Sequence, residues 1–248
     1  MSTFYLGTDM PGWLATMTVP LFVSHRRLAP RKHLRRSEVP WALDSGGFTE
    51  LHQHGGWNTT PLEYADAVHR YNTEVGCLEW VAPQDWMCEP SALAASGLTV
   101  EAHQALTVGN YIELRDLLGE LVVPVLQGWS TDDYLAHVDQ YAAAGVQLDQ
   151  LDRVGLGSVC RRDQVAQVVE VITELQPIRL HAFGIKGETW GRAHHMLASA
   201  DSMAWSFTGR DFKMPHCTHR ARTCSHCPAW ALRWRRRTLA AADQLRLL

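Results

Sequence analysis

The sequence predicts an α/β chain folded as an irregular (β/α)8 TIM barrel, with a small zinc-binding segment and an arginine-rich helix at its C-terminal end. Three observations predict it. Eight short runs rich in β-branched, aromatic or leucine residues alternate with amphipathic stretches. The length of 248 residues suits one such barrel domain. Near Arg210 the composition changes abruptly, first to Cys and His and then to Arg.

Candidate strands cover residues 4–6, 19–23, 41–44, 79–82, 122–127, 153–157, 179–183 and 201–205. Candidate helices cover 61–75, 100–118, 132–144, 162–175 and 188–198. The first links between strands are too short or too basic for full helices, so the barrel should be irregular there. Thr60-Pro61 is a cap followed by proline at the first helical position, and residues 130–133 form a polar capping cluster. A doubly wound open sheet has the same rhythm, and periodicity alone does not separate the two. With no internal repeat or low-complexity linker, the expected division is a barrel at 1–209 and an appended segment at 210–248.

Hydrophobic residues make up 46% of the chain and charged ones 20%, which excludes disordered, collagen-like and fibrous classes. No apolar run approaches the roughly 18 residues of a membrane span, and the N-terminus lacks a secretory pattern. A cytoplasmic, reducing location follows as the expectation, with the six cysteines as thiols or metal ligands. The net charge of −3 hides a partition: residues 1–36 hold six Arg/Lys against one Asp, and residues 210–248 hold nine against two acidic residues. Basic ends around an acidic middle point to a polyanion met by local patches; solvated loops and a solvated helix are the plainer reading.

The chemically unusual residues follow the candidate strands. They include Asp44-Ser45-Gly46-Gly47-Phe48, Gln84-Asp85-Trp86, Gln127-Gly128-Trp129, Gly155-Leu156-Gly157-Ser158, His181-Ala182-Phe183-Gly184 and Asp201-Ser202. In a barrel these positions share one rim, where enzymes of that fold keep their sites, and glycines there allow close approach of a ligand. Asp44, Asp85 and Asp201 would then meet at one pocket, where mutual repulsion raises at least one pKa and suits acid–base or nucleophilic work. Capping of the following turns is the alternative role for each.

Cys217, His219, Cys224 and Cys227 form C-x-H-x4-C-x2-C, a ligand set for tetrahedral zinc. His216 and His226 compete with His219 for the fourth position. Four protein ligands imply a structural ion. Cys77, Cys88 and Cys160 are expected to be packing residues. Beyond the knot, Trp230 and Trp234 interleave with Arg233, Arg235, Arg236 and Arg237. Such a helix can grip phosphates and stack on unpaired bases, or dock its tryptophans on the barrel.

This ordered series resembles the tRNA-guanine transglycosylase superfamily. Residues 83–90 and 199–206 are closest to its shorter branch, the deazapurine DNA modification protein A group of phages and bacteria. The resemblance runs from about residue 3 to 237, and the Asp-Ser-Gly-Gly-Phe motif and the metal knot are its most specific pieces. It implies exchange of guanine in DNA for a 7-deazaguanine such as 7-cyano-7-deazaguanine (preQ0), in a bacterial cell or phage-infected host. By this resemblance Asp201 is the nucleophile at C1′ and Asp44 the proton shuttle. Asp85 reads the N1–H and exocyclic amine of the base, with Ser45 beside it. Gln127 and the backbone of Gly155, Leu156 and Gly157 face its C6 carbonyl, and Phe48 and Phe183 sandwich the ring.

Among its departures from the tRNA enzymes, which are considerably longer, its histidine sits inside the knot, and Asp201 is followed by Ser202-Met203-Ala204-Trp205 rather than a proline-containing run. These differences favour DNA as the partner, with tRNA as the alternative, and a duplex target must be flipped out. Accessory DNA-modification proteins are a further expected partner class. A non-catalytic zinc-containing DNA-binding module and a glycosidase-like hydrolase are the competing classes.

Overall fold

The computed structural model of the chain describes residues 2–160 and 162–245. Its strands are β1 (Thr3–Thr8), β2 (Leu21–Ser24), β3 (Trp41–Asp44), β4 (Leu78–Val81), β5 (Val125–Leu126), β6 (Val154–Leu156), β7 (Leu180–Ala182) and β8 (Ser199–Ser202). All pair in parallel, in the order β4-β3-β2-β1-β8-β7-β6-β5. Sequential neighbours with β1 against β8 exclude the doubly wound sheet, whose strand order reverses at a switch point. The sheet curls until its edges meet: Val81 bridges Val122, and the Val123 N–H donates to the Val81 carbonyl at 3.1 Å.

The helices are α1 (His25–Leu28), α2 (Gly47–His54), α3 (Pro61–Glu74), α4 (Pro90–Ser96), α5 (Val100–Leu118), α6 (Thr131–Ala143), α7 (Val165–Glu174), α8 (Gly187–Ala193), α9 (Ala204–Thr208) and α10 (Pro228–Leu245). The irregular start is present: β1 and β2 are joined through a short 3-10 turn at Pro11–Ala15, and β2 and β3 through the single turn of α1. Reciprocal capping boxes, Thr60 with Glu63 and Ser130 with Asp133, start α3 and α6. Strand eight differs from the expected 201–205. It occupies Ser199–Ser202, because its residues pair with β1 from Thr3 onward, and residues after Met203 turn into α9. The helix expected at 188–198 ends at Ala193 and passes through a 3-10 turn into β8. Among the described residues no helix is long and apolar enough to cross a membrane.

Side-chain alternation along the strands builds two cores and, above the inner one, the site. Phe4, Leu6, Leu21, Val23, Trp41, Leu43, Leu180, Ala182 and Ala200 point outward under the helices. Tyr5, Phe22, Ala42 and Trp80 fill the barrel interior, with Phe183 packed on them. Two residues further along the same inward faces stand Ser24 after Phe22, Asp44 after Ala42, Phe183 after His181 and Asp201 after Ser199. The period of the strand thus carries the acidic residues onto the rim of a packed barrel.

Candidate active site

At the C-terminal ends of the strands lies a cleft of about 230 Å³, walled by Asp44, Asp85, Gln127, Gly157, Phe183 and Asp201, with Phe48 at its mouth. The three aspartates named from sequence therefore share one hollow. Ser45 lies behind the wall, donating to Asp85 Oδ1 at 3.3 Å. Gly155 and Leu156 do not reach the cleft. A Cβ at Gly155 would stand 2.5 Å from the Phe183 ring, and one at Gly157 would stand 2.2 Å from the Gln127 amide. Gly155 makes room for the Phe183 ring, whereas Gly157 both makes room for Gln127 and lines the cleft. Leu156 points into the outer core, and its carbonyl accepts from the Phe183 N–H.

Asp85, Gln127 and Ser158, a strand-end residue to which sequence assigned no role of its own, form one network. Gln127 Nε2 donates to Asp85 Oδ2. The Ser158 hydroxyl donates to Gln127 Oε1 at 2.6 Å and accepts the Cys88 N–H at 2.9 Å. With its oxygen already an acceptor, the Ser158 proton goes to Gln127 Oε1, and this sets which end of the amide faces Asp85. Ser158 does this from φ 53°, a left-handed backbone that glycine adopts at less cost. Strain of this kind collects at functional sites. Burial, then the charge of Asp44, pushes Asp85 up to about 7, against hydrogen bonds from Gln127 and Ser45 that pull it down.

Asp44 is also raised, first by burial and further by Asp201, with hydrogen bonds from the Gly46 N–H and Ser24 opposing. Asp201 is buried and accepts the Gly184 N–H at Oδ1, 2.8 Å away. Beneath it is His181, fully buried, whose Nδ1 meets Ser199 Oγ at 2.8 Å. Its Nε2 lies 3.5 Å from Asp201 Oδ1, too far for a strong hydrogen bond. Burial lowers the His181 pKa, so a neutral imidazole faces the carboxylate. Asp201 is thus left with a backbone donor on one oxygen and no cationic partner among the described residues.

The metal-ligand set is assembled. Donor atoms of Cys217, His219, Cys224 and Cys227 all lie within 4.8 Å of one another. Cys217 Sγ is 3.4 Å from Cys227 Sγ and 3.7 Å from Cys224 Sγ, and His219 Nε2 is 3.6 Å from Cys224 Sγ. Tetrahedral zinc with Zn–S near 2.3 Å asks for edges of about 3.8 Å between sulfurs and about 3.6 Å from sulfur to nitrogen. The set fits zinc, with no position left open. The competing histidines are elsewhere: His216 is exposed, and His226 pairs with Ser225 and with Asp9 at 3.3 Å.

The following helix docks rather than reaches out. Trp230 is buried with its Nε1 on the Trp205 carbonyl at 2.8 Å, and Arg235 donates through Nε and Nη2 to the Phe4 carbonyl. Trp234 packs against the outer core. The expectation that these tryptophans stack on bases gives way to docking, while Arg233, Arg236 and Arg237 stay exposed. Arg246 lies outside the described residues. Cys88 is buried as expected, whereas Cys77 is exposed and Cys160 sits in the cleft wall.

Comparison with known proteins adds a family. The family model described as "DpdA: DeoxyPurine in DNA protein A" matches residues 1–247. No curated protein matches the chain. Among solved structures, xylanase B from Clostridium stercorarium F9 is similar at 9% identity and TM-score 0.41, over 81% of this chain and 85% of that one. A 2,3-dimethylmalate lyase of the PEP mutase/isocitrate lyase superfamily is similar at 12% identity and TM-score 0.43, over 99% and 92%.

Proposed function

The chain belongs to the DpdA family, the DNA-guanine transglycosylases, and on that premise we propose that it exchanges guanine in DNA for a 7-deazaguanine such as 7-cyano-7-deazaguanine through a covalent aspartyl–sugar intermediate. The observation that carries this reading is the convergence of Asp44, Asp85 and Asp201 on one cleft, two of them with raised pKa.

In the proposed reaction Asp201 attacks C1′ while the C1′–N9 bond breaks, and the electron pair of that bond leaves with guanine. Lacking a cationic partner, the Asp201 carboxylate keeps its electron pair available. Asp44 supplies the proton to the departing base and takes one from N9–H of the incoming base, which then displaces Asp201 from C1′. A carboxyl group held above its ordinary pKa suits both directions of that transfer. Two displacements retain configuration, and one glycosidic bond replaces another, so no nucleotide triphosphate is needed. A zinc ion held by Cys217, His219, Cys224 and Cys227 would only close the C-terminal segment on itself, since none of these residues belongs to the barrel strands.

Asp85 reads the base as an acceptor for N1–H and the exocyclic amine, which requires its ionised form. Affinity for free guanine should therefore fall about tenfold per pH unit below roughly 7 and level off above it. In Ser158→Gly the backbone keeps its favoured conformation, but Gln127 loses its anchor and Asp85 a stabilising donor. The midpoint of guanine binding, followed by calorimetry against pH, should move to higher pH in this variant. An unmoved midpoint would remove Ser158 from base recognition.

The class is tested with purified protein, radiolabelled guanine, and DNA and tRNA as separate acceptors. Label is expected in DNA. Incorporation into tRNA alone would overturn the choice of nucleic acid, and release of guanine from DNA without incorporation would point to a hydrolase.

A further inference from the structure

Every tyrosine of the chain is buried, and so are half of its phenylalanines and tryptophans taken together. Among the described residues the exposed phenylalanines and tryptophans all follow strand ends of the barrel: Phe48 (37%) after β3, Trp129 (39%) after β5, and Phe207 (61%) and Phe212 (37%) after β8. Most exposed aliphatic residues instead lie on the outer helices, for example Leu62, Leu106 and Ile112, while Met10 follows β1 and Leu98 lies between α4 and α5. Around the barrel, the positions of Phe48, Phe207 and Trp129 stand three, three and two strands apart. By strand order they are spread around the barrel rather than gathered beside one strand.

Three of these rings rest on a flat partner. Phe48 stacks on His52, with centroids 4.1 Å apart at 29°. The Arg162 guanidinium lies over Trp129 at 4.6 Å, and that of Arg210 over Phe207 at 4.2 Å. Arg162 is buried and fixed, donating from Nε to the Ser158 carbonyl at 3.0 Å and from Nη2 to the Gly128 carbonyl at 3.2 Å. A guanidinium on one side holds the indole in place and adds positive charge beneath it. Exposed Lys213, Arg220 and Arg222 follow Phe207 on the metal segment. Exposing large rings is costly in water, and rings backed by cations suit a planar, anionic-stranded partner.

We propose that Trp129 and Phe207 are stacking platforms for unpaired bases of single-stranded DNA on either side of the target nucleotide, complementing Phe48 at the mouth of the cleft. The inference rests on DNA as the substrate and goes beyond it: the strand is held by its neighbouring bases, without regard to their identity, in an unstacked form. The C-terminal segment then contributes to the strand path through Arg210, whose guanidinium backs the Phe207 ring of α9.

The test uses two fluorescent probes that contain no guanine, a short oligothymidylate and an abasic strand of the same length, with binding read by anisotropy. Wild-type protein should bind the oligothymidylate more tightly than the abasic strand. Trp129→Ala and Phe207→Ala should each weaken oligothymidylate binding roughly tenfold, with abasic-strand binding unchanged. Trp129→Phe and Phe207→Tyr, which keep a ring, should retain most of the affinity. Alanine variants that bind the oligothymidylate like wild type, or that weaken both probes equally, would overturn the inference. Neither probe can undergo guanine exchange, so a wild-type protein inactive in exchange would sink the transglycosylase reading and leave this result standing on its own.

Discussion

Replacing Asp201 with asparagine is expected to lower guanine exchange into DNA by roughly 10⁴-fold or more, with little change in thermal stability. The amide keeps the shape of the side chain and still offers an oxygen to the Gly184 N–H. It does not supply the anionic oxygen that must bond to C1′, and enzymes deprived of their nucleophile lose rate on this scale. The neutral His181 beneath gives no substitute nucleophile, because it is fully buried below the aspartate. Free guanine should still bind, since Asp85, Gln127 and Ser158 form a network that does not include Asp201. Exchange rate and guanine affinity measured on the same preparation check both halves. An Asp201→Asn variant that supports exchange within tenfold of wild type would remove Asp201 from the nucleophile's role.

Cys224→Ser is expected to have the largest structural effect. Cys224 is fully buried, its Sγ accepts the Met214 N–H at 3.3 Å, and its N–H donates to the Phe212 carbonyl at 2.8 Å. Structural zinc sites of this kind contribute on the order of 10 kcal/mol to the folding of the segment they close. Loss of one thiolate should abolish stoichiometric zinc and open residues 210–245 to limited proteolysis. The barrel strands share no ligand with the metal, so guanine binding should survive while DNA binding weakens. A variant that keeps its zinc and its protease resistance would show that the remaining ligands suffice.

The acidic residues of the site were legible because strand period and barrel topology together decide where a strand-end side chain goes. Once β3 and β8 are read correctly, Asp44 and Asp201 must look into the same opening, even though the limits of β8 were misplaced by two residues at its start. Metal spacing was legible for the same kind of reason: four donors within eleven residues can close on one ion without help from the rest of the fold. The same spacing named His219, with His216 and His226 as competitors; in the fold His226 meets Ser225 and Asp9 instead.

Ser158 was hidden, since a serine after Gly157 has no meaning until its left-handed backbone and the orientation of Gln127 are known. Gly155 was misread for a related reason. A glycine in a strand announces a close approach but not of what, and here the neighbour is Phe183. In α10 the signal was present and ambiguous. Trp230 and Trp234 lie one turn apart on the face that also carries Arg235, and only the barrel behind them shows that this face is the buried one.

The most direct test of the central claim is peptide mapping by mass spectrometry of a protein–DNA adduct trapped by rapid denaturation while guanine is exchanging. A deoxyribosyl ester is expected on the peptide carrying Asp201, and none on peptides carrying Asp44 or Asp85. A sugar attached to either of those residues, or guanine exchange that proceeds with no adduct at any aspartate, would contradict the assignment of Asp201 as nucleophile.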